Sequence, residues 1–228
     1  MNRVLIDLHI CRYDEVGDDQ KASYKNSLSD PELDQLSRFE GQRADHFIIE
    51  KGYTRDVLSR SVGLPAKSLK FERTEKGKPA LVSSSQISFN LSHCKDLFVV
   101  AVSKDAAVGV DVERTQRSNN LERIALHYFA EEEIDFLMVD PNQLDIKFTH
   151  LWTVKESIGK LIGIGINKTF LQNATKIEQG KPIPNRSWLK IKVSVQSYVQ
   201  SNHLLSVAVE CASSAQVLIH ENDWKRIN

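Results

Sequence analysis

Hydrophobic and polar residues follow two periods along this chain, which predicts a mixture of helices and strands. A capping serine, Ser29, precedes Asp30-Pro31-Glu32, a typical start for a helix. The predicted helices are residues 30–62, with a break or kink at Gly41 or Gly52, then Leu121–Tyr128, Ala130–Val139 and Phe148–Ile162. The predicted strands are Val4–Ile10, Ile87–Leu91, Leu97–Ser103, Val108–Glu113, Leu189–Tyr198 and Leu204–Glu210. The fold class is therefore α/β, in the α+β arrangement.

One order of elements occurs twice in the chain. A helix, a Gly-Lys-Pro turn and a strand hairpin come in this order around Gly77-Lys78-Pro79 and again around Gly180-Lys181-Pro182. The tripeptide Val100-Ala101-Val102 also has a counterpart, at Val207-Ala208-Val209. This repetition predicts two similar α+β halves, residues 1–107 and 108–228, related by a pseudo-twofold axis. Ligands commonly bind between packed domains, so we expect the site in the cleft between the halves.

Composition narrows the classes of protein to which the chain can belong. Lys plus Arg and Asp plus Glu both number 30, so no overall charge attracts nucleic acid or an anionic membrane. The 3 cysteines are scattered, which argues against a disulfide framework or a structural zinc site. The first residues lack the apolar segment of a secretory signal, and no window is apolar enough to span a membrane. We expect a cytoplasmic monomer.

The most informative stretch is Gly109-Val110-Asp111-Val112-Glu113, near the middle of the chain. Side chains alternate along a strand, so Asp111 and Glu113 point to the same side, roughly 7 Å apart along the backbone. Like charges this close require a cation or a proton between them. Oxygen ligands without His or Cys suit Mg²⁺ better than zinc, and also suit Mn²⁺. The alternative is an edge strand with a polar outer face.

A second motif is Trp152-Thr153-Val154-Lys155-Glu156-Ser157-Ile158-Gly159-Lys160. On a helix, Glu156 and Lys160 share one face, with Lys155 beside them. Taken with the two strand carboxylates, this motif offers a third acid and two cations, which a pyrophosphate with its metal requires. A Glu followed four residues later by Lys also stabilises ordinary exposed helices, so the motif alone is not specific.

Two further groups of residues offer contacts to phosphate. Ser92 and His93 end a strand in Phe89-Asn90-Leu91-Ser92-His93, and Lys78 lies upstream. The alternative for the Ser-His pair is a capped turn. Three cations, Arg43, Lys51 and Arg55, recur on one stripe of the first long helix. The alternative for the stripe is a solvated face, because acids are interleaved with it.

These motifs together resemble the 4′-phosphopantetheinyl transferases. Gly-Val-Asp-Val-Glu followed some 40 residues later by Trp-Thr-Val-Lys-Glu-Ser-Ile-Gly-Lys is similar to the signature pair of that family. The stretches Phe89–His93 and Glu75–Pro79 resemble the longer, Sfp-type branch, as does the duplication. The resemblance runs from about Arg38 to Gly165, with four motifs in order.

The resemblance implies a role for each matching residue. The implied metal ligands for Mg²⁺ are Asp111, Glu113 and Glu156, and the implied catalytic residues are Glu156, Lys160 and Glu133. Residues implied to bind coenzyme A are Arg43, Lys51, Gly77, Lys78, Pro79, Ser92, His93, Lys155 and Lys160. The first half would hold the nucleotide, and the second would hold the metal. The chain departs from the pattern at Lys51, where Arg is usual, and at Cys94 and Ala130, where Ser is common.

The implied reaction transfers the 4′-phosphopantetheine arm of coenzyme A to a serine of an apo acyl or peptidyl carrier protein, and 3′,5′-ADP leaves. Glu156, Glu133 or a metal-bound water would take the serine proton. We expect the carrier to dock near Leu121–Val139, against a basic and apolar rim. Two alternatives remain: a Mg²⁺-dependent nucleotide pyrophosphohydrolase, and a non-catalytic protein that binds coenzyme A or a carrier.

Overall fold

The structure is a computed structural model, and it describes residues 4–82, 87–115, 120–211, 215–221 and 223–227. The strands are β1 (Leu5–Arg12), β2 (Phe71–Arg73), β3 (Pro79–Leu81), β4 (Ser88–His93), β5 (Leu97–Ser103), β6 (Val108–Arg114), β7 (Thr175–Glu178), β8 (Lys181–Pro184), β9 (Val193–Gln200), β10 (His203–Glu210), β11 (Gln216–Ile219) and β12 (Lys225–Arg226). The helices are α1 (Asp18–Asn26), α2 (Asp30–Leu36), α3 (Gly41–Val62), α4 (Leu121–Tyr128), α5 (Glu131–Met138), α6 (Leu144–Ile162), α7 (Lys168–Asn173) and α8 (Arg186–Leu189). The predicted α+β class is confirmed.

Two four-stranded sheets form the centre of the molecule. Their strand orders are β11-β1-β5-β4 and β12-β9-β10-β6, and the described pairs are antiparallel except β1 with β11. Apolar side chains of β1, β5, β6, β9 and β10 share one buried cluster between the sheets. On its other face the first sheet packs on α3, and the second sheet packs on α6. Each half thus consists of a sheet covered by one long helix.

The two sheets meet where β4 runs beside β6. Backbone N–H groups of Val108, Val110 and Val112 donate to the side-chain oxygens of Ser88 (3.2 Å), Asn90 (2.9 Å) and Ser92 (3.2 Å), respectively. An edge strand normally leaves such groups unpaired. Here polar side chains at alternate positions of β4 replace a backbone ladder, so we call this contact the seam.

The repeated order of elements is present in the fold. Helix α3 ends at Gly63, the β2–β3 hairpin turns at Gly77, and β4 and β5 follow. Helix α6 ends at Gly163, the β7–β8 hairpin turns at Gly180, and β9 and β10 follow. Strand β11 belongs to the last part of the chain but pairs in parallel with β1 of the first sheet. The division between residues 107 and 108 stays a prediction.

Several elements differ from the predicted ones. The helix predicted over residues 30–62 is broken at one of the two predicted positions, because α2 ends at Leu36 and α3 begins at Gly41. Gly52 does not break α3; a Cβ there would lie 2.1 Å from Cβ of Tyr24, so this glycine admits α1 against α3. Helix α1 lies in a segment without apolar periodicity, and Tyr24 is its buried residue. Among the helices described, none combines the length and apolarity that a membrane span requires.

Candidate active site at the seam

Gly109 sets how closely strand β6 and helix α6 approach. A Cβ at this position would lie 2.1 Å from the backbone oxygen of Ser157 and 2.5 Å from the backbone nitrogen of Leu161. Only a glycine allows this contact between two backbones. Because alternate residues of a strand share a face, Asp111 and Glu113 point toward α6 like Gly109.

Asp111, Ser92 and Lys160 form a compact polar cluster at this point. The Lys160 Nζ atom donates to Asp111 Oδ1 and to Ser92 Oγ, both at 2.8 Å. The Ser92 hydroxyl donates to Asp111 Oδ1 at 2.8 Å. Asp111 is buried, with 4% of its surface exposed, so its charge depends on these partners. The structure thus brings together three residues that the sequence predicts in the site, one each from β4, β6 and α6.

The second oxygen of Asp111 indicates where a cation fits. Among the residues that the structure describes, Asp111 Oδ2 is buried without a hydrogen-bond partner. A buried carboxylate oxygen without a partner is costly, and a hard cation such as Mg²⁺ is the natural partner for it. The donor chemistry at Asp111 therefore fits the predicted metal.

The three predicted metal ligands are not drawn together around one point. In the described part of the chain, one group of three His, Cys, Asp or Glu ligand atoms lies within 4.8 Å of one another, and it is elsewhere, at Cys94, Asp96 and His203. Glu113 and Glu156 are half-buried, and both make contacts of their own. Glu156 precedes Lys160 by one helical turn on the same face of α6. A metal at Asp111 would have to draw these two carboxylates inward.

Lys155 and Glu133 lie in the helical core, not at the predicted phosphate and catalytic positions. Both side chains are fully buried, and Lys155 Nζ donates to Glu133 Oε1 at 2.7 Å and to the backbone oxygen of Leu171. Glu133 also accepts from the backbone N–H of Ala130 at 3.0 Å and from the Thr175 hydroxyl. Burial lowers the pKa of Lys155, and Glu133 opposes that effect. Neither group is accessible to a substrate in this structure, because both side chains are fully buried and bonded to each other.

The Gly-Lys-Pro turn lies at the opposite end of the seam. Lys78 Nζ donates to the backbone oxygen of Val108 at 2.7 Å, and burial lowers the pKa of Lys78 to about 8. Lys78 and Pro79 line a cavity of about 600 Å³, and Ser88 and Lys104 also line it. Gly77 adopts a left-handed φ of 78°, which the turn requires. A cavity thus lies beside this turn, which the sequence predicts as part of the site.

The remaining predicted cations lie on the α3 side of the first sheet. Arg43 is placed over the Phe39 ring at 4.2 Å and Lys51 over the Phe47 ring at 5.6 Å. His93 is exposed and, by alternation along β4, faces the other way from Ser92. Arg55, the third cation of the stripe, is buried and paired with Glu32 at 2.7 Å, so it supports the fold.

Two family models match the chain in succession. A model described as "4′-phosphopantetheinyl transferase, N-terminal" matches residues 19–105, and one described as "4′-phosphopantetheinyl transferase superfamily" matches residues 107–213. The chain belongs to the 4′-phosphopantetheinyl transferase superfamily. The predicted family is thereby confirmed. The first match ends at residue 105 and the second begins at residue 107.

Several curated members of the superfamily are similar in sequence to this chain. The chain is 32% identical over 147 residues to the 4′-phosphopantetheinyl transferase HetI of Nostoc sp., a match that covers 62% of each chain. It is 33% identical over 114 residues to the transferase Sfp of Bacillus subtilis, covering 50% of each chain. It is 35% identical to psf-1 of Bacillus pumilus, covering 50% of this chain and 48% of that protein. The matches span about half to three-fifths of the length of these relatives.

Sequence reasoning missed two positioning residues of this superfamily member. Gly109 was visible as a lone glycine inside a strand pattern, which is a signal for close backbone approach. Lys76 donates to the backbone oxygen of Ile162 at 2.8 Å and so caps the end of α6 from the Gly-Lys-Pro turn. The contact between Lys76 and Ile162 joins parts of the chain far apart in sequence, and no local pattern announces it.

Proposed function

We propose that the chain transfers the 4′-phosphopantetheine arm of coenzyme A to a serine hydroxyl of an apo acyl or peptidyl carrier protein, with release of 3′,5′-ADP. The observation that carries this proposal is the buried Asp111 carboxylate: one of its oxygens binds Lys160 and Ser92, and the other has no hydrogen-bond partner among the described residues. Membership of the superfamily makes this chemistry the natural use of such a site.

Asp111, Glu113 and Glu156 are the residues we propose to hold Mg²⁺, for which Mn²⁺ is a chemical substitute. When bound, the ion would supply positive charge against the pyrophosphate of coenzyme A. Lys160 pairs with Oδ1 of Asp111, which leaves Oδ2, the oxygen without a partner among the described residues, for the cation. Lys160 would then donate to phosphate oxygens as negative charge develops on them.

The reaction forms a bond between the carrier serine oxygen and the phosphorus that carries the pantetheine arm, and breaks the bond from that phosphorus to 3′,5′-ADP. The serine proton needs an acceptor. Glu156 lies on the same face of α6 as Lys160 and is half-buried. Glu133 is fully buried and bonded to Lys155. We therefore propose Glu156 as the base that takes the serine proton.

The nucleotide end of coenzyme A would bind in the first half. Supporting this, Lys78 lines the cavity at the end of the seam, and the lowered pKa of Lys78 marks a cation poor in water contacts. We keep Gly77, Pro79, Ser92, His93, Arg43 and Lys51 in the proposed set. Lys155 is removed from it, because its ammonium group is committed to Glu133 in the core.

The carrier protein would dock on the second half. Exposed apolar side chains support an apolar contact area there: Leu126 on α4 is 63% exposed and Val139, after α5, is 80% exposed. The predicted basic rim does not lie on α5, whose exposed first turn carries Glu131 and Glu132. A cytoplasmic monomer without nucleic-acid or membrane partners remains part of the proposal.

The test is intact-mass spectrometry of several apo carrier proteins incubated with this protein, coenzyme A and Mg²⁺. The proposal predicts a gain of roughly 340 Da on the carrier, the mass of the transferred phosphopantetheine arm. Consumption of coenzyme A without a gain on any carrier would instead indicate the hydrolase. Intact coenzyme A that binds without turnover would indicate a binding protein.

A further inference from the structure

Three ligand atoms converge at a place away from Asp111. The Cys94 thiol lies 3.5 Å from Asp96 Oδ1, and His203 Nε2 lies 3.0 Å from the same oxygen. These atoms all lie within 4.8 Å of one another. Sulfur, nitrogen and oxygen donors gathered in this way suit Zn²⁺, unlike the oxygen donors at Asp111.

The spacing of these atoms already fits one ion. Atoms that bind a tetrahedral zinc at about 2.0–2.3 Å lie about 3.3–3.7 Å from one another. The separations of 3.5 Å and 3.0 Å from Asp96 Oδ1 are close to that range, so side-chain adjustments suffice. Three protein ligands leave the fourth position to water.

The His203 ring is buried with Nε2 toward this group, and the exposed part of Asp96 leaves the group accessible to an ion. The His203 residue is 3% exposed, and its Nδ1 is buried without a partner among the residues described, so Nε2 is the nitrogen that faces polar atoms. The Asp96 side chain is 38% exposed, which opens the group to solvent on that side. Cys94 is half-buried.

The group lies at one end of the seam, where β4 ends and where His203 of β10 pairs with Arg114 at the end of β6. Cys94 and Asp96 belong to the turn between β4 and β5, whereas His203 begins β10 of the second sheet. Asp96 directly precedes Leu97 and His203 directly precedes Leu204, so the two residues occupy equivalent places in the repeated hairpins. A metal bound here would connect the halves across their pseudo-twofold relationship.

We propose that Cys94, Asp96 and His203 form a zinc site that ties the first sheet to the second. On binding, the Cys94 thiol proton goes to solvent, and the neutral imidazole of His203 binds through Nε2 with its N–H proton on Nδ1.

Titration of the metal-free protein with Co²⁺, under excess Mg²⁺ and a phosphine reductant, tests this site. A thiolate bound to Co²⁺ gives a charge-transfer absorption band that carboxylate or histidine sites do not give. The matched variants are Cys94→Ser and Cys211→Ser, because Cys211 is also a half-buried cysteine but lies outside the group.

We expect the wild-type protein and Cys211→Ser to develop the band, saturating at one Co²⁺ per chain, and Zn²⁺ to displace it. Cys94→Ser should lack the band, and Asp96→Asn should weaken Co²⁺ binding while retaining the fold. We also expect Zn²⁺ to raise the Tm of the wild-type protein but not of Cys94→Ser. Absence of the band from the wild type, or the same band in Cys94→Ser, would overturn the proposal.

Discussion

The Lys160 Nζ atom lies 2.8 Å from Asp111 Oδ1, and this contact ties helix α6 to strand β6 at the centre of the proposed site. Lys160 remains 29% exposed on its side chain, whereas Asp111 is nearly closed off at 6%. Lys160 thus contacts the buried Asp111 carboxylate while part of its own side chain stays exposed to solvent. It can turn to a phosphate without leaving the cleft, while the second oxygen of Asp111 stays available to a cation.

Replacing Lys160 should therefore impair transfer more than folding. We expect Lys160→Ala to lower kcat/KM for coenzyme A by about 10²-fold or more, since it removes a donor aimed at developing charge. The measurement is initial transfer rate against coenzyme A concentration. Lys168→Ala, which removes an exposed lysine of α7, is the control and should transfer at the wild-type rate. Equal loss in both variants would contradict the assignment.

The buried pair of Lys155 and Glu133 should matter for stability. Lys155→Met leaves a carboxylate buried without its cation, and such a change costs about 3–5 kcal/mol in the free energy of unfolding. The measurement is urea denaturation, with Lys176→Ala as the control, because Lys176 pairs with Glu178 at the surface. A surface pair contributes about 0–1 kcal/mol. A cost below about 1 kcal/mol for Lys155→Met would show that the core tolerates the unpaired acid.

Gly109→Ala should separate β6 from α6. The added methyl group meets three backbone atoms of α6, which cannot move as a flexible side chain would. We expect a loss of about 1–3 kcal/mol in the free energy of unfolding, with transfer reduced because Lys160 and Glu156 move away from Asp111. Gly17→Ala is the matched control, since nothing lies within 4 Å of a Cβ there. Unchanged stability and transfer in Gly109→Ala would refute this close contact.

The lowered pKa of Lys78 predicts that the binding of coenzyme A depends on pH. Burial lowers the pKa of Lys78 to about 8, so the ammonium group is charged below that pH and loses its proton as pH rises through it. We expect KM for coenzyme A to rise above pH 8, by about tenfold once the charged contact is lost. Because the unfolded lysine titrates near 10.5, the Lys78 contribution to stability becomes more favourable between about pH 8 and 10.5.

Lys78→Arg is the comparison for this pH profile, because an arginine stays charged throughout the range. Its KM for coenzyme A should be flat from pH 7 to pH 9.5, in contrast to the wild type. If wild type and variant rise in parallel, another group is responsible and Lys78 does not bind the nucleotide.

Much of the fold was accessible from the sequence where hydrophobic patterns are strong. Strand β5 and helix α4 have the predicted bounds, Leu97–Ser103 and Leu121–Tyr128. Strand β5 is buried at every position, so its apolar run is unbroken. Helix α1 and the short elements after Gly165 were missed, because few of their residues are buried and tertiary packing holds them in place. The parallel pairing of β11 with β1 joins opposite ends of the chain, which no local pattern can announce.

The site was predictable to the extent that its residues share a face of one element. Asp111 and Lys160 come from motifs whose spacing fixes direction, and the structure joins them. Lys155 and Glu133 differ: a charged residue next to Glu156 on a helix can point outward or into the core, and spacing alone does not decide which. The inward direction of Lys155 depends on α5 and α7, which bury it together with Glu133. Burial of a charged pair is a tertiary property.

The most direct test of the account is the metal dependence of transfer in wild type and Asp111→Asn, measured by intact mass of the carrier. Asp145→Asn, an exposed acid at the start of α6, is the control variant. The account predicts that EDTA abolishes transfer by the wild type and by Asp145→Asn, that Mg²⁺ restores it, and that Asp111→Asn stays at least about 10²-fold slower at any Mg²⁺ concentration. Wild-type rates of transfer by Asp111→Asn, or transfer unaffected by EDTA, would contradict it.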